Sequence, residues 1–300
     1  MIHWPSYNQS LVRRGEILFS YDFLDMWDDD LDRMNENKDG KRYKFPDSFI
    51  LVVGHIRVCF HLPYRQTEGI IKATGKSLPD HPCYSQICRR VNKLDISSNI
   101  LDDDDDDDDD DNIIIAIDST GIKVTNRGQW MQDKWNVKNN KKGYLKIHIA
   151  VNIKTQKILA LEVTDEKVHD GRVMPKLIEQ ILENNNGIKI KSALGDGAYD
   201  SNVNFKHLKE KRIQPIIKVK RNSIISPKND NARNREVQLQ TKDYHKWKKK
   251  RKYGQRWISE TAFSSIKRMF GEYTSAIMFQ NMIKEMTMKV SLYNLFRRIT

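Results

Sequence analysis

The chain has 300 residues and a formal net charge of +12, enough length for one large core or for one core beside a small helical module. No apolar run approaches the ~20 residues of a bilayer span, and the start, Met1-Ile2-His3-Trp4-Pro5-Ser6-Tyr7, lacks the basic and apolar regions of a secretory signal. Three cysteines, Cys59, Cys83 and Cys88, with no CxxC pair, argue against a disulfide framework, so a soluble, cytoplasmic protein is expected.

The charge is unevenly spread. Residues 1–111 hold 14 Lys+Arg against 23 Asp+Glu, a net −9, and residues 112–300 hold 38 against 17, a net +21. A segment of that charge repels itself unless an anion shares its surface, and nucleic acid is the commonest such partner. Ribosomal or anionic membrane surfaces satisfy the charge equally, so it bounds the partner without naming the chemistry.

In chain order, residues 1–100 read as mostly helical. Asp47–Phe60 has helical apolar spacing, with Asp47 or Ser48 placed to cap it. Arg65–Thr74 makes a second helix, stopped by Gly75, and Tyr84–Leu94 a third, carrying Arg89, Arg90 and Lys93. Two short helices joined by a Gly-containing turn, the second basic, outline a helix-turn-helix, and an ordinary helical bundle fits the same residues. His81, Cys83 and Cys88 match no common zinc spacing and read as thiols on a helix. Residues 102–111 are ten consecutive aspartates, which repel and bury nothing. They mark a linker, 101–111, between a helical domain, 1–100, and a second domain, 112–300.

The second domain opens with Asn112–Ile117, a β-branched run suited to a strand buried on both faces and ending at Asp118. Tyr144–Asn152 and Lys157–Thr164 are two more strands joined by a hairpin at Lys154-Thr155-Gln156. Asp170 is placed to cap a helix reaching about Leu182. Ile188–Leu194 is a strand ending at Gly195-Asp196-Gly197, Asn202–Lys211 a helix, and Pro215–Val219 a fifth strand. Arg221–Gln240 reads as a polar, mobile loop. Three antiparallel strands continued by parallel crossovers describe an α/β, ribonuclease H-like core with a mixed five-stranded sheet, finished by C-terminal helices.

Asp118 and Asp196 fall at strand ends, where α/β sheets gather their sites, though turn aspartates are also common there. Asp200, four residues on, competes with Asp196. If Tyr253–Lys267 is one helix, Tyr253, Arg256, Glu260 and Lys267 share a face, and Phe263, Ile266 and Phe270 form the neighbouring apolar stripe. A solvated face with an Arg256–Glu260 pair explains the same spacing. Lys248-Lys249-Lys250-Arg251-Lys252, between Trp247 and Tyr253, suits a DNA backbone or a solvated basic loop.

The pattern Tyr-x2-Arg-x3-Glu-x6-Lys at Tyr253, Arg256, Glu260 and Lys267 resembles the signature of the DDE transposases of prokaryotic insertion sequences, most closely the insertion-sequence-five group of the insertion-sequence-four superfamily. Ile117-Asp118-Ser119-Thr120 resembles that family's first acidic motif and Gly195-Asp196-Gly197-Ala198-Tyr199-Asp200 its second. Trp4-Pro5, Leu11-Val12-Arg13-Arg14-Gly15 and Arg65-Gln66-Thr67-Glu68-Gly69 are also similar, so the likeness covers nearly the whole chain. The ten-aspartate run departs from the family pattern.

The resemblance implies an enzyme that cuts double-stranded DNA at element ends and joins the freed 3′-hydroxyl to target DNA. It implies Asp118, Asp196 and Glu260 as catalytic metal ligands for Mg²⁺ or Mn²⁺. Two such ions about 3.5–4 Å apart activate the attacking oxygen and stabilise the leaving one, and hard ions of this kind take oxygen ligands. Arg256 and Lys267 would contact phosphates near the scissile bond, Tyr253 would stack on a base or hold a phosphate, and Lys248, Lys249, Lys250 and Arg251 would follow the backbone. Gln86, Arg89 and Arg90 are the candidates for reading end sequence, and a homodimer on DNA is expected, without membrane association. A ribonuclease H-like nuclease without strand transfer, or an inactive transposase-derived DNA-binding protein, is the alternative.

Overall fold

The computed structural model describes residues 3–74, 78–96, 112–124, 144–184, 188–228 and 231–299. The ten-aspartate run and Gly75 lie outside the described residues. Two compact units emerge, Met1–Ile96 with Met278–Thr300, and Ser97–Ile277. No helix among the described residues is long and apolar enough to cross a membrane.

The first unit contains helices α1 (Trp4–Leu18), α2 (Trp27–Asn35), α3 (Asp47–Cys59), α4 (Tyr64–Thr74) and α5 (Tyr84–Lys93), together with the C-terminal helix α11 (Phe279–Arg298). The apolar run in α3 makes it the central helix, with Phe49, Ile50, Val53, Ile56 and Val58 buried. Beside it the rings of Phe23, Trp27, Phe45 and Phe49 pack with centroids 5.2–6.4 Å apart. The expected cap of α3 does not form. Asp47 instead accepts from Arg90 Nη2 at 2.7 Å, and Ser48 Oγ donates to Asp30 Oδ2 at 2.6 Å.

Helix α11 was expected within the second domain, and the structure packs it with α3 in the first unit. Periodicity predicts a helix but not which core receives it. Gly54 permits the approach, since a Cβ there would lie 2.5 Å from Met288 Cε. Helix α11 brings buried Glu285 to 3.8 Å from Arg57 and 3.4 Å from Lys289, both also buried. Charges taken out of water are tolerated only when paired in this way. On α3, His55 Nε2 meets Ser291 Oγ at 3.2 Å.

The second unit carries strands β1 (Asn112–Val124), β2 (Tyr144–Asn152) and β3 (Ile158–Asp165), helix α6 (Met174–Asn184), β4 (Lys189–Gly195), α7 (Asn202–Glu210) and β5 (Gln214–Ile217). Helices α8 (Asn231–Lys242), α9 (Tyr244–Lys250) and α10 (Trp257–Phe270) follow, then the two-residue β6 (Tyr273–Thr274). The sheet order is β3-β2-β1-β4-β5, antiparallel through β1–β3 and parallel across β1–β4 and β4–β5. This is the ribonuclease H-like arrangement expected, with β6 added beside the far end of β1 as a sixth strand. At the β2–β3 hairpin, Asn152 Oδ1 accepts from Lys154 N at 2.8 Å, and Gln156 takes φ 60° to reverse the chain.

Two local expectations are corrected. Asp170 does not cap α6. His169 caps a short 3-10 turn, and Asp170 Oδ1 lies 2.5 Å from Lys146 Nζ on β2. The expected mobile loop 221–240 contains half of its length as α8. That helix is held by a buried carboxylate that composition does not reveal: Glu236 accepts from Trp247 Nε1 at 2.5 Å and pairs with Arg251.

Two stability outcomes follow from these buried groups. Removing one partner of a buried ion pair typically costs about 3–5 kcal/mol, so Glu236→Ala, which strands both Arg251 and the Trp247 indole, should lower the unfolding free energy by that order, read as a lower urea midpoint. A variant as stable as the wild type would show that Glu236 contributes nothing. Burial pushes His55 down to about 4 from its ordinary 6.5, so the unfolded chain takes up a proton first as the pH falls. Its contribution is therefore complete above pH 6.5 and is lost between pH 6.5 and 4, by up to ~3 kcal/mol. The unfolding midpoint should fall across that window, and less steeply in His55→Gln. A residual slope should come from His148, also buried and pushed down to about 4.

Candidate active site

Asp118 does not end its strand. β1 continues to Val124, paired with β2 throughout, while β4 stays beside it only as far as the Ala116–Leu194 pair. The opening lies where β4 turns away after Gly195, and Asp118 flanks that opening. Asp196 follows the last residue of β4, two positions past the Ala116–Leu194 pair, and its charge acts on Asp118. Gly195 leaves little room just before Asp196: a Cβ there would meet Tyr199 Cδ2 at 3.1 Å and Met174 Cε at 3.2 Å, so both side chains would have to give way. Asp196 caps the following 3-10 turn itself, accepting from Ala198 N at 2.8 Å.

Asp118 is half-buried and well anchored. Its Oδ1 accepts from Ser119 N at 2.9 Å, and its Oδ2 accepts from Arg256 Nη1 at 2.8 Å and Ser259 Oγ at 3.3 Å. Burial pushes its carboxyl upward and the neighbouring Asp196 charge adds to this, while Ser119 N–H, Arg256 and Ser259 pull the other way without cancelling it. Two like charges acting on each other thus call for a cation, and Arg256 supplies one.

Helix α10 packs on β1 and β2 through Ile258, Ala262, Phe263 and Ile266. The expected stripe of Phe263, Ile266 and Phe270 is buried, with Ile258 and Ala262 joining it, and Glu260 is exposed. Arg256 sits at the helix N-cap and pairs through Nη2 with Glu260 Oε1, so one guanidinium bridges Asp118 and Glu260. A cleft of about 490 Å³ opens here, lined by Asp118, Ser119, Thr120, Glu260, Phe263, Ser264, Lys267, Arg268 and Glu272. Lys267 stands two turns along from Glu260, at the same cleft, as expected.

Tyr253 departs from expectation. Residues 253–256 form a 3-10 turn preceded by Lys252 at φ 51°, so the helix does not run continuously from Tyr253. Tyr253 is buried with its ring 5.0 Å from Trp247, and its hydroxyl is hydrogen-bonded to Arg256. A ring covered in this way has no face for a base, and it acts on Arg256 instead. Burial raises its hydroxyl to about 12, which keeps it neutral.

Other candidates separate by exposure. Asp200 is fully enclosed, with Arg233 Nε at 2.7 Å, Lys220 N at 2.9 Å and Ser223 Oγ at 3.0 Å. Burial raises its carboxyl, but these donors outweigh burial and lower it overall. It braces the turn after Asp196 and is not presented to the cleft. Lys248, Lys249 and Lys250 are exposed, whereas Arg251 is held by Glu236. In the first unit Gln86 caps α5 through Cys83 N at 3.0 Å, and Arg90 clamps Phe45 O at 2.9 Å and Asp47. Arg89 alone of the three is exposed. Sequence reasoning missed Ser259, whose contact with Asp118 spans 141 positions, and Arg268 and Glu272 in the cleft wall. It also missed Trp257, 55% exposed one residue from Arg256. Among the described residues no three His, Cys, Asp or Glu side chains converge as a ready-made metal cage.

Residues 109–295 match a family model described as transposase DDE domain, and residues 12–127 match a second model of the same description. Among solved structures, the chain is similar to the Drosophila P element transposase strand transfer complex at 13% identity and a TM-score of 0.36, covering 65% of this chain and 46% of that one. The chain therefore spans less than half the length of that protein. With the first model alone taking in well over half of its residues, including both aspartates and Glu260, this chain belongs to the transposase DDE domain family.

Proposed function

We propose that this protein is an insertion-sequence transposase of the insertion-sequence-five type, which cuts double-stranded DNA at element ends and joins the freed 3′-hydroxyl to target DNA. The observation that supports this is the Arg256 guanidinium, which joins Asp118 to Glu260 beside the cleft, with the Asp196 charge also acting on Asp118. The set fits Mg²⁺ or Mn²⁺, because all its donors are hard carboxylate oxygens. Asp118, Asp196 and Glu260 would hold the cations, in all two. When bound, they supply activation of the attacking oxygen and charge stabilisation for the leaving one.

The chain's own residues do the rest. Ser119 N–H and Ser259 orient the Asp118 carboxylate. Arg256 and Lys267 offer charge-assisted hydrogen bonds to the phosphate that enters the cleft. Tyr253 holds Arg256 at the correct height, and α10 packs rigidly on the sheet so that Glu260 does not drift. Water displaces the 3′-oxygen at the element end, and that 3′-oxygen then displaces one in the target strand, with Arg256 and Lys267 holding the phosphate in both steps. Lys248, Lys249 and Lys250 carry the flanking duplex. The N-terminal helical domain, read from sequence as 1–100, recognises the element ends, with Arg89 best placed to reach bases. The protein acts as a homodimer on DNA, in the cytoplasm at the nucleoid.

Asp118→Asn, Asp196→Asn and Glu260→Gln should each reduce metal-dependent nicking by at least ~100-fold, the upper range for altering even the partners of metal ligands, while duplex binding persists. Wild-type nicking by any one of them would remove it from the site. Asp200→Asn should instead lower the unfolding midpoint, because it leaves Arg233 buried without its partner.

Replacing Lys248, Lys249 and Lys250 with Gln should weaken end and non-end duplexes by similar factors. It should also reduce the salt slope of log affinity by up to ~0.9 for each phosphate that is no longer neutralised. Single-turnover cleavage at saturating protein should change little. Binding titrations across a salt series measure this, and an unchanged slope would make the run a solvated surface.

A further inference from the structure

Arg256 occupies a particular place. Its Nη1 donates to Asp118 Oδ2 at 2.8 Å, its Nη2 pairs with Glu260, and the buried Tyr253 hydroxyl adjoins it. One guanidinium therefore ties up two of the three acids and supplies the positive charge they need. A divalent cation that binds Asp118 and Glu260 together competes with the guanidinium for their oxygens and lies beside its positive charge. A DNA phosphate changes that balance. It offers two non-bridging oxygens that a guanidinium can take bidentately, and it enters a cleft whose walls already carry Lys267 and Arg268.

We infer that Arg256 is a DNA-released gate on the carboxylate site: without DNA it closes Asp118 and Glu260 to divalent cations, and an arriving phosphate draws it off and opens them. The inference rests on the functional reading above and adds a regulation to it. Its consequence is thermodynamic. DNA must raise cation affinity, and by linkage the cation must raise DNA affinity by the same factor. The protein would then carry little loaded cutting site while away from its DNA.

Two measurements test this. In the first, full-length DNA-free protein is titrated with Mn²⁺, and free ion is read by its electron paramagnetic resonance signal. Arg256→Gln should bind Mn²⁺ about tenfold tighter than wild type, within the usual span of coupling between sites, and Glu260→Gln should bind more weakly than Arg256→Gln. The second needs no variant. The affinity of wild-type protein for an element-end duplex is compared in Ca²⁺ and in chelator at constant ionic strength, and should be about tenfold tighter in Ca²⁺. Equal Mn²⁺ affinity of wild type and Arg256→Gln, or a duplex affinity indifferent to Ca²⁺, would overturn the gate alone. Failure of Arg256→Gln to bind Mn²⁺ at all would overturn both the gate and the carboxylate site it guards.

Discussion

A half-buried carboxylate on β1, with a second acid just past the end of β4, is the constraint around which this part of the second unit is arranged. Burial of Asp118 disfavours its charge, and the neighbouring Asp196 charge adds to that cost. A sheet holds them there because neither carboxylate can move without its strand. Asp118 lies within a continuous β1, and Asp196 is fastened to the turn it caps. The repulsion is met by hydrogen-bond donors and by Arg256, whose own position is set by Tyr253 and by the start of α10. The same arrangement that makes the acids costly to assemble makes them ready for a cation.

The basic half of the chain is ordered by a few buried acids. Asp200 gathers Arg233, Ser223 and the Lys220 amide, and Glu236 gathers Trp247 and Arg251. Each carboxylate draws in a cation that would otherwise add to the repulsion, and each makes a helix end or turn where a polar stretch has little apolar surface to bury. The effect on function is selective. Arg233 and Arg251 are consumed internally, while Lys248, Lys249 and Lys250 stay exposed on α9. Tyr253 stays packed on Trp247, so α9 is joined to the turn that leads into α10.

The first unit uses the same device. Glu285 on α11 lies between Arg57 and Lys289, and Arg57 also stacks its guanidinium 4.3 Å from the centre of the Tyr64 ring. A buried ion cluster of this kind adds less stability than an apolar core of equal volume, but it specifies which faces of α3 and α11 meet. The Arg90 clamp on Phe45 O and Asp47 similarly fixes α5 against the start of α3. Those interactions remove Arg90 from any surface role and leave Arg89 facing outward.

Strand and helix order was legible in the sequence, because β-branched runs and 3.6-residue spacing are local properties. So was the stripe Phe263, Ile266 and Phe270 that docks α10. Asp118, Asp196 and Glu260 stood out as isolated acids beside apolar elements, and family likeness selected Asp196 over Asp200. What tertiary structure alone decided was which polar groups are neutralised by distant partners. Tyr253 and Arg251 look like surface residues in a basic run, yet Trp247 and Glu236 bury one and bind the other. Asp200 looks as available as Asp196 until Arg233, 33 positions away, encloses it. The extension of β1 past Asp118 depends on β2 and β6, and the placement of α11 depends on α3. Local spacing carries the energy of forming an element. The pairing of charges across the fold depends on desolvation and distance, which no stretch of sequence encodes by itself.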